Sequence, residues 1–240
     1  MEIPTTGKGR FLMDNIGKYF FTWFIKPILS FYLKRETSYY YKGLRITVFS
    51  GVFHPQFFFS SKFLANFVEG LPLSGKTFFE PCSGSGFISL IASRNKAIVT
   101  ASDINPNAVE NIKLNYKKNA SQFPSENISV YLSDVFNAIP VQQFDFIVVN
   151  PPYFFKDYSN LAQAAWNCGL NGIFFDNFFS KLVAYTHTNS EVFMVLADNC
   201  DIERIKKIAS SYFFDFVLVK EKKILWEKNY IFKIVRQKNE

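Results

Sequence analysis

From residue 44 the chain alternates between two hydrophobic periods. LRITVFS (44–50) alternates apolar and polar positions, as a half-buried strand does. SSKFLANFVEG (60–70) puts Phe63, Leu64, Phe67 and Val68 on one helical face, with Gly70 as a stop. Apolar runs at 76–80, 97–102, 127–132, 144–150 and 191–197 then read as strands. Helical patterns at 87–94, after Asn105, at 171–186 and at 201–211 lie between them; Asn105 caps a helix that begins at Pro106, with Val109, Ile112 and Tyr116 on one face. Residues 214–220 and 229–236 close the chain as two strands with no helix between. Seven core strands with crossover helices predict an α/β fold: a mostly parallel sheet covered on both faces, ending in an antiparallel hairpin.

The amino-terminal stretch KYFFTWFIKPILSFYLKR (18–35) is broken by Lys26 and Pro27. Neither half reaches the roughly 20 apolar residues of a membrane span. Two short helices fit, the second starting at Pro27. They would cap the domain, grip a partner or lie on a membrane surface. The expected division is a short N-terminal helical extension, basic and aromatic, over residues 1–43, followed by one domain over 44–240. No small-residue cleavage site follows a short apolar core, which argues against a secretory signal.

Charge and composition narrow the classes. The net charge of +7 sits at the two ends, which suits RNA, a ribosome-associated partner, anionic lipid or plain solvated basic faces. Cys82, Cys168 and Cys200 form no metal spacing and no disulfide framework, and His54 and His187 are far apart. No metal is expected, and a reducing, cytoplasmic setting is the default. The 30 phenylalanines allow two readings, an aromatic binding surface or codons rich in A and T.

FFEPCSGSGFISL (78–90) joins the first core strand to its helix. A dinucleotide turn would need glycine where Ser89 stands, and Gly-Lys-Ser/Thr is absent, so neither a nicotinamide turn nor a P-loop is present. Three successive strands are instead followed by acids: Glu80, Asp103 and Asp134. In an open parallel sheet ligands bind beyond the strands' carboxyl ends. Gly84 and Gly86 permit close backbone approach there. Asp103 can accept both hydroxyls of a ribose, and Asp134 an amino group such as adenine's. The ordered set describes a nucleoside pocket without a phosphate site.

EPCSGSG, ASDINPNAVENIKLN, SDVF and VVNPPY, in this order and spacing, resemble a class I S-adenosylmethionine-dependent methyltransferase over roughly residues 44–236. The NPPY form resembles amino-group methyltransferases, including the release-factor glutamine N5-methyltransferases and the small-domain methyltransferase group. The resemblance implies a Rossmann-like fold, S-adenosyl-L-methionine as cofactor, and roles by position. Glu80 and Pro81 would lie toward the methionine amino group, and Cys82, Gly84 and Gly86 along the cofactor. Asp103 would hold the ribose, Ile104 the adenine face, and Asp134 and Val135 the adenine edge. Phe53 and Pro55 would belong to a segment closing over the cofactor. Two departures are visible: Cys82 stands where many relatives have glycine, and Gln56, Phe57, Phe58 and Phe59 replace the basic-Pro-acidic-Thr run of release-factor enzymes.

Asn150, Pro151, Pro152 and Tyr153 then become the candidate catalytic residues. An amide or aromatic amine nitrogen is a poor nucleophile because its lone pair is delocalised. The Asn150 side-chain oxygen and the Pro151 carbonyl can accept its two hydrogens, the proline rings fix those carbonyls in advance, and Tyr153 can stack on the planar group. No strong general base is required, and His54 is the weaker idea of a proton acceptor. Loop 154–171, with Trp166 and Gly169, is expected to contribute to the acceptor site, with core packing as the alternative for Trp166. The acceptor is expected to be glutamine N5 of a protein. The alternatives are an RNA or DNA base nitrogen (adenine N6 or guanine N2), or a non-catalytic module that only binds the cofactor.

Overall fold

A computed structural model of the chain describes residues 35–123, 127–225 and 227–237. The helices expected within 18–35 therefore lie outside the described residues, Arg35 apart. Residues grouped above with the extension form a strand, β1 (Thr37–Tyr41), paired antiparallel with β2 (Leu44–Val48). TSYYY has the β-branched and aromatic content of a strand. Lys42 and Gly43, with φ of 46° and 86°, make the two-residue turn whose twist suits a hairpin.

The main sheet has seven strands: β3 (Thr77–Pro81), β4 (Ile98–Asp103), β5 (Ile128–Leu132), β6 (Phe144–Val149), β7 (Thr186–Ala197), β8 (Phe214–Ile224) and β9 (Glu227–Arg236). Their order is β5-β4-β3-β6-β7-β9-β8, parallel except that β9 runs antiparallel between β7 and β8. The expected fold class is thus the observed one. Strand residues alternate between two cores. Phe78, Phe146, Val148, Phe193 and Val195 face one layer. There they meet the hairpin and helices α1 (Phe59–Val68), α2 (Phe87–Arg94) and α3 (Pro106–Lys118). Phe79, Ile147, Val149, Val192 and Met194 face the other. That layer holds α5 (Ile173–Leu182) and α6 (Ile202–Ser211), reached after a four-residue helix, α4 (Leu161–Ala164). Among the described residues, fifteen phenylalanines are buried in these layers. Phenylalanine is here mainly a filling of the core.

The hairpin docks on α3 through a ladder of asparagines. Asn111, Asn115 and Asn119 stand four residues apart, so they share one helical face. Asn119 exchanges two hydrogen bonds with the Arg45 backbone (both 2.9 Å). Asn115 does the same with Thr47 (2.8 and 2.7 Å). Asn111 accepts from Phe49 N–H (2.9 Å) and donates to the Thr47 carbonyl (2.9 Å). The helix thus presents amides at the spacing of a neighbouring strand, and β2 pairs with it as it would with a sheet edge.

Candidate active site

The chain leaves β3 toward β4 and β5 on one side and returns to β6 and β7 on the other, so the order reverses between β3 and β6. A crevice opens beyond the carboxyl ends at such a switch point. Several pieces of chain wall a cavity there. Among them are the strap at residues 51–55, the turn 82–85 with Asp103, Ile104 and Asn105, and Asn150–Tyr153 after β6. A second cavity adjoins it, lined by Asp134 and Val135 after β5 and sharing Cys82, Ile104, Pro152 and Ala164 with the first. Phe53, Pro55, Glu80, Cys82, Gly84, Asp103, Ile104, Asn150, Pro151, Pro152 and Tyr153 meet in the first cavity, and Asp134 and Val135 in its neighbour.

Two expected residues are not among those lining either cavity. Pro81 sits between Glu80 and Cys82, which do line the first, and strand alternation turns its ring the other way. Gly86 is the residue before α2, at φ 77°. A Cβ there would come 3.0 Å from the Ile112 side chain, so glycine lets α2 pack on α3 without a shift of Ile112.

Glu80 is 4% exposed. Its Oε2 accepts from the Ser89 N–H (2.8 Å) and the Ser89 hydroxyl, in the first turn of α2. Burial pushes its carboxyl up to about 8, with the nearby Asp103 charge adding to the rise. Asp103 accepts from Gly84 N–H at one oxygen and from Asn105 N–H at the other (2.9 Å each). Burial raises its carboxyl too, against the lowering effect of these bonds. Each oxygen keeps a lone pair for a hydroxyl. Asp134 accepts from Asn177 Nδ2 (2.9 Å).

Backbone strain gathers at the same place. Cys82 (φ 56°) and Val135 (φ 50°) both occupy the left-handed region, which costs a side chain with a Cβ and is an outlier for a β-branched residue. Burial and the carboxylates of Asp103, Asp134 and Glu80 hold the Cys82 thiol well above its ordinary range.

Asn150 donates from Nδ2 to Ser61 Oγ (3.5 Å), which leaves Oδ1 as its acceptor. Tyr153 packs edge-on against Phe154 (4.9 Å between centroids). Trp166 closes the mouth with Phe53 (4.9 Å) and Phe58 (4.7 Å), and Phe53 stacks on Phe58 (4.8 Å). The tryptophan therefore lines the cavity instead of filling a core. His54 lies behind the strap, 1% exposed, with Nε2 2.7 Å from Thr37 Oγ1 and its ring stacked on Tyr39. Burial lowers its pKa to about 4. It is not among the residues lining the cavity. Sequence reasoning missed Ser61, Ser85, Phe58 and the cavity face of Asn105. Only the SGSG composition of the turn hinted at Ser85.

No group of three or more His, Cys, Asp or Glu among the described residues could hold a metal ion. Among them, no helix is long and apolar enough to cross a membrane.

The methyltransferase small domain family matches residues 43–168, just over half of the chain. Over 77 residues the chain is 42% identical to the release factor glutamine methyltransferase of Aquifex aeolicus (strain VF5). That stretch is 31% of this chain and 26% of the relative, so the chain matches about a quarter of that protein's length. Among solved structures, Mtq2–Trm112 of E. cuniculi, a complex that methylates the eRF1 translation termination factor, superposes with a TM-score of 0.55. Identity is 19%, over 78% of this chain and 99% of that one. The 16S rRNA N2 methyltransferase RsmC of T. thermophilus, solved with AdoMet and guanosine, gives 0.55 at 20% identity, over 83% of this chain and 50% of that one. At these identities the likeness carries the fold alone.

The residues present fit S-adenosylmethionine. Ser85 Oγ is buried at the cavity without a hydrogen-bond partner, a donor suited to a carboxylate. Glu80, Asp103 and Asp134 follow in the order in which an ammonium, a ribose and a purine amine would need them. Gly84, at φ 54°, leaves its backbone open beside Phe53. The chain belongs to the methyltransferase small domain family, and S-adenosylmethionine is its expected cofactor.

Proposed function

We propose that the protein moves a methyl group from S-adenosylmethionine to the side-chain nitrogen of a glutamine in a protein substrate. The observation that carries this reading is the chemistry of the cavity walls. Asn150 and the two prolines meet Tyr153 and Trp166 at the mouth, and neither cavity has a lysine or arginine among its described lining residues. A nucleotide acceptor brings phosphates, which proteins grip with cations; a glutamine amide is neutral and planar. The curated relative named for glutamine methylation supports the same choice.

In this reading Glu80 faces the methionine ammonium, Asp103 accepts the ribose hydroxyls, and Asp134 and Val135 meet the adenine edge. The bound cofactor supplies an electrophilic methyl group. Asn150 Oδ1 and the Pro151 carbonyl accept the two amide hydrogens and so turn the nitrogen lone pair toward the cofactor. Both acceptors also favour the positive charge that grows on nitrogen during transfer. Tyr153 supports the amide plane, and the aromatic mouth excludes water. Positioning supplies the rate, and no residue need act as a strong base.

Transfer to a nucleic-acid base is the second reading, favoured by the basic ends of the chain. Product chemistry separates the two. After reaction with methyl-labelled cofactor and acid hydrolysis, methylated glutamine releases label as methylammonium, which becomes volatile methylamine once the hydrolysate is made alkaline. Retention of label in methyladenine or methylguanine would replace the proposal with its alternative.

A further inference from the structure

Asn105 stands at the head of α3, where its Oδ1 accepts from Asn107 N–H (3.0 Å) as a helix cap. A cap needs nothing more, yet every other polar group of this residue is also committed. Its backbone N–H donates to Asp103 Oδ1 (2.9 Å). Its Nδ2 crosses to the Gly51 carbonyl (3.3 Å). Gly51 belongs to the strap that carries Val52, Phe53 and Pro55 along the cavity, and Asn105 is 8% exposed beneath it.

The strap is held by few polar contacts. The ladder reaches Phe49 through Asn111, and Val52 N–H bonds to the Phe49 carbonyl (3.2 Å). His54 ties the strap to β1 through Thr37 Oγ1 (2.7 Å), and the Asn105 bond to Gly51 is the side-chain tie between the strap and the cofactor-side wall of the cavity. Downstream of it, Phe53 rests over Gly84, where a Cβ would stand 3.6 Å from the Phe53 Cβ. Phe53 then continues into Phe58 and Trp166.

We infer that Asn105 is a positioning residue that clips the strap to the cofactor-side carboxylate, so that Asp103 and Phe53 are set relative to one another by one side chain. The inference rests on the cofactor assignment of the proposed function. It adds a second consequence to cofactor capture. A ligand on Asp103 steadies Asn105, and Asn105 holds Phe53 where the aromatic mouth forms. Cofactor retention and the shape of the acceptor entrance are therefore coupled.

Asn105→Ser tests it, because serine keeps a good helix cap and loses the Nδ2 donor. Asn105→Asp, which keeps Oδ1 but turns an oxygen toward the Gly51 carbonyl, is the second variant. The readouts are S-adenosylhomocysteine association and dissociation rates and amide hydrogen exchange in the ligand-free full chain. Loss of one neutral hydrogen bond predicts dissociation faster by about three- to tenfold in Asn105→Ser. Association is unchanged, and Asn105→Asp shows a larger effect. Exchange rises over residues 51–58 but not at Asn107 and Ala108, a pattern that loss of the cap alone would not give. Wild-type retention and strap exchange in both variants would overturn the clip. Failure of the wild-type protein to bind S-adenosylhomocysteine would overturn the cofactor assignment, and the clip with it.

Discussion

Asn115 and Thr47 exchange two hydrogen bonds, amide to backbone, across 68 residues of chain, and Asn115 is fully buried. Its Nδ2 also reaches the Ser85 carbonyl (2.9 Å) in the turn after β3. One side chain thus ties the hairpin, α3 and the glycine turn together. Each buried group left without a partner costs about 1–3 kcal/mol. Asn115→Ala strands the Thr47 N–H, and denaturant unfolding should show a loss of roughly 2–4 kcal/mol. A loss below 1 kcal/mol would mean that the hairpin docks by apolar packing alone.

Much of this architecture was legible in the sequence, and the exceptions have physical reasons. The buried strands declared themselves as continuous apolar runs, and Asp103, Asp134 and Asn150 as polar residues that end them. The asparagine ladder did not, because amides at every fourth helical position read as a solvated face until a partner strand is known. β1 was hidden because Tyr39 is its one buried residue, too little for a period, and its pairing depends on the Lys42–Gly43 turn; Tyr40 is 73% exposed. The contact of Gly86 with Ile112 was not legible, because sequence does not show what fills the space beside a glycine. The gathering of Phe53, Phe58 and Trp166 depends on a loop crossing that no periodicity encodes.

Glu80 gives the ligand-free protein a pH signature. Its folded pKa of about 8 lies above the ordinary 4.5, so the native state keeps a proton that the unfolded chain has lost. Stability therefore falls as pH rises between these values. His54, lowered from 6.5 to about 4, acts oppositely: its contribution is present above pH 6.5 and lost as pH falls toward 4. The two oppose each other below 6.5, so the window free of His54 is pH 6.5–8; Asp103, also raised by burial, acts in the same direction as Glu80, and Glu80→Gln separates the two. Melting temperature should decline across it in the free wild-type protein and stay flatter in Glu80→Gln. In the proposed cofactor placement the ammonium of S-adenosylhomocysteine would favour ionised Glu80, so saturation with it should also flatten the slope.

The left-handed backbone at Cys82 predicts a gain on mutation. Glycine adopts φ 56° without a Cβ penalty, so Cys82→Gly should stabilise the protein by about 1 kcal/mol in denaturant unfolding. Destabilisation would show that the thiol's packing between the two cavities outweighs the strain.

Trp166 and Ser61 separate acceptor from cofactor. Trp166→Ala opens the mouth and should raise the KM for the acceptor while leaving S-adenosylhomocysteine affinity within about threefold. Ser61→Ala removes the hydroxyl that receives Asn150 Nδ2 and frees the amide to rotate. Its effect should fall on kcat, by about three- to tenfold for one neutral hydrogen bond. A change in cofactor affinity alone would place either residue on the wrong side of the cavity.

Methyl transfer from labelled S-adenosylmethionine into a lysate of the source cell, by the wild-type protein and by Asn150→Ala, asks the decisive question. Wild-type protein should label a fraction that protease removes and RNase leaves intact, and Asn150→Ala should reduce that label at least a hundredfold, as loss of a transition-state acceptor does. Label removed by RNase, or equal labelling by the variant, would contradict the account.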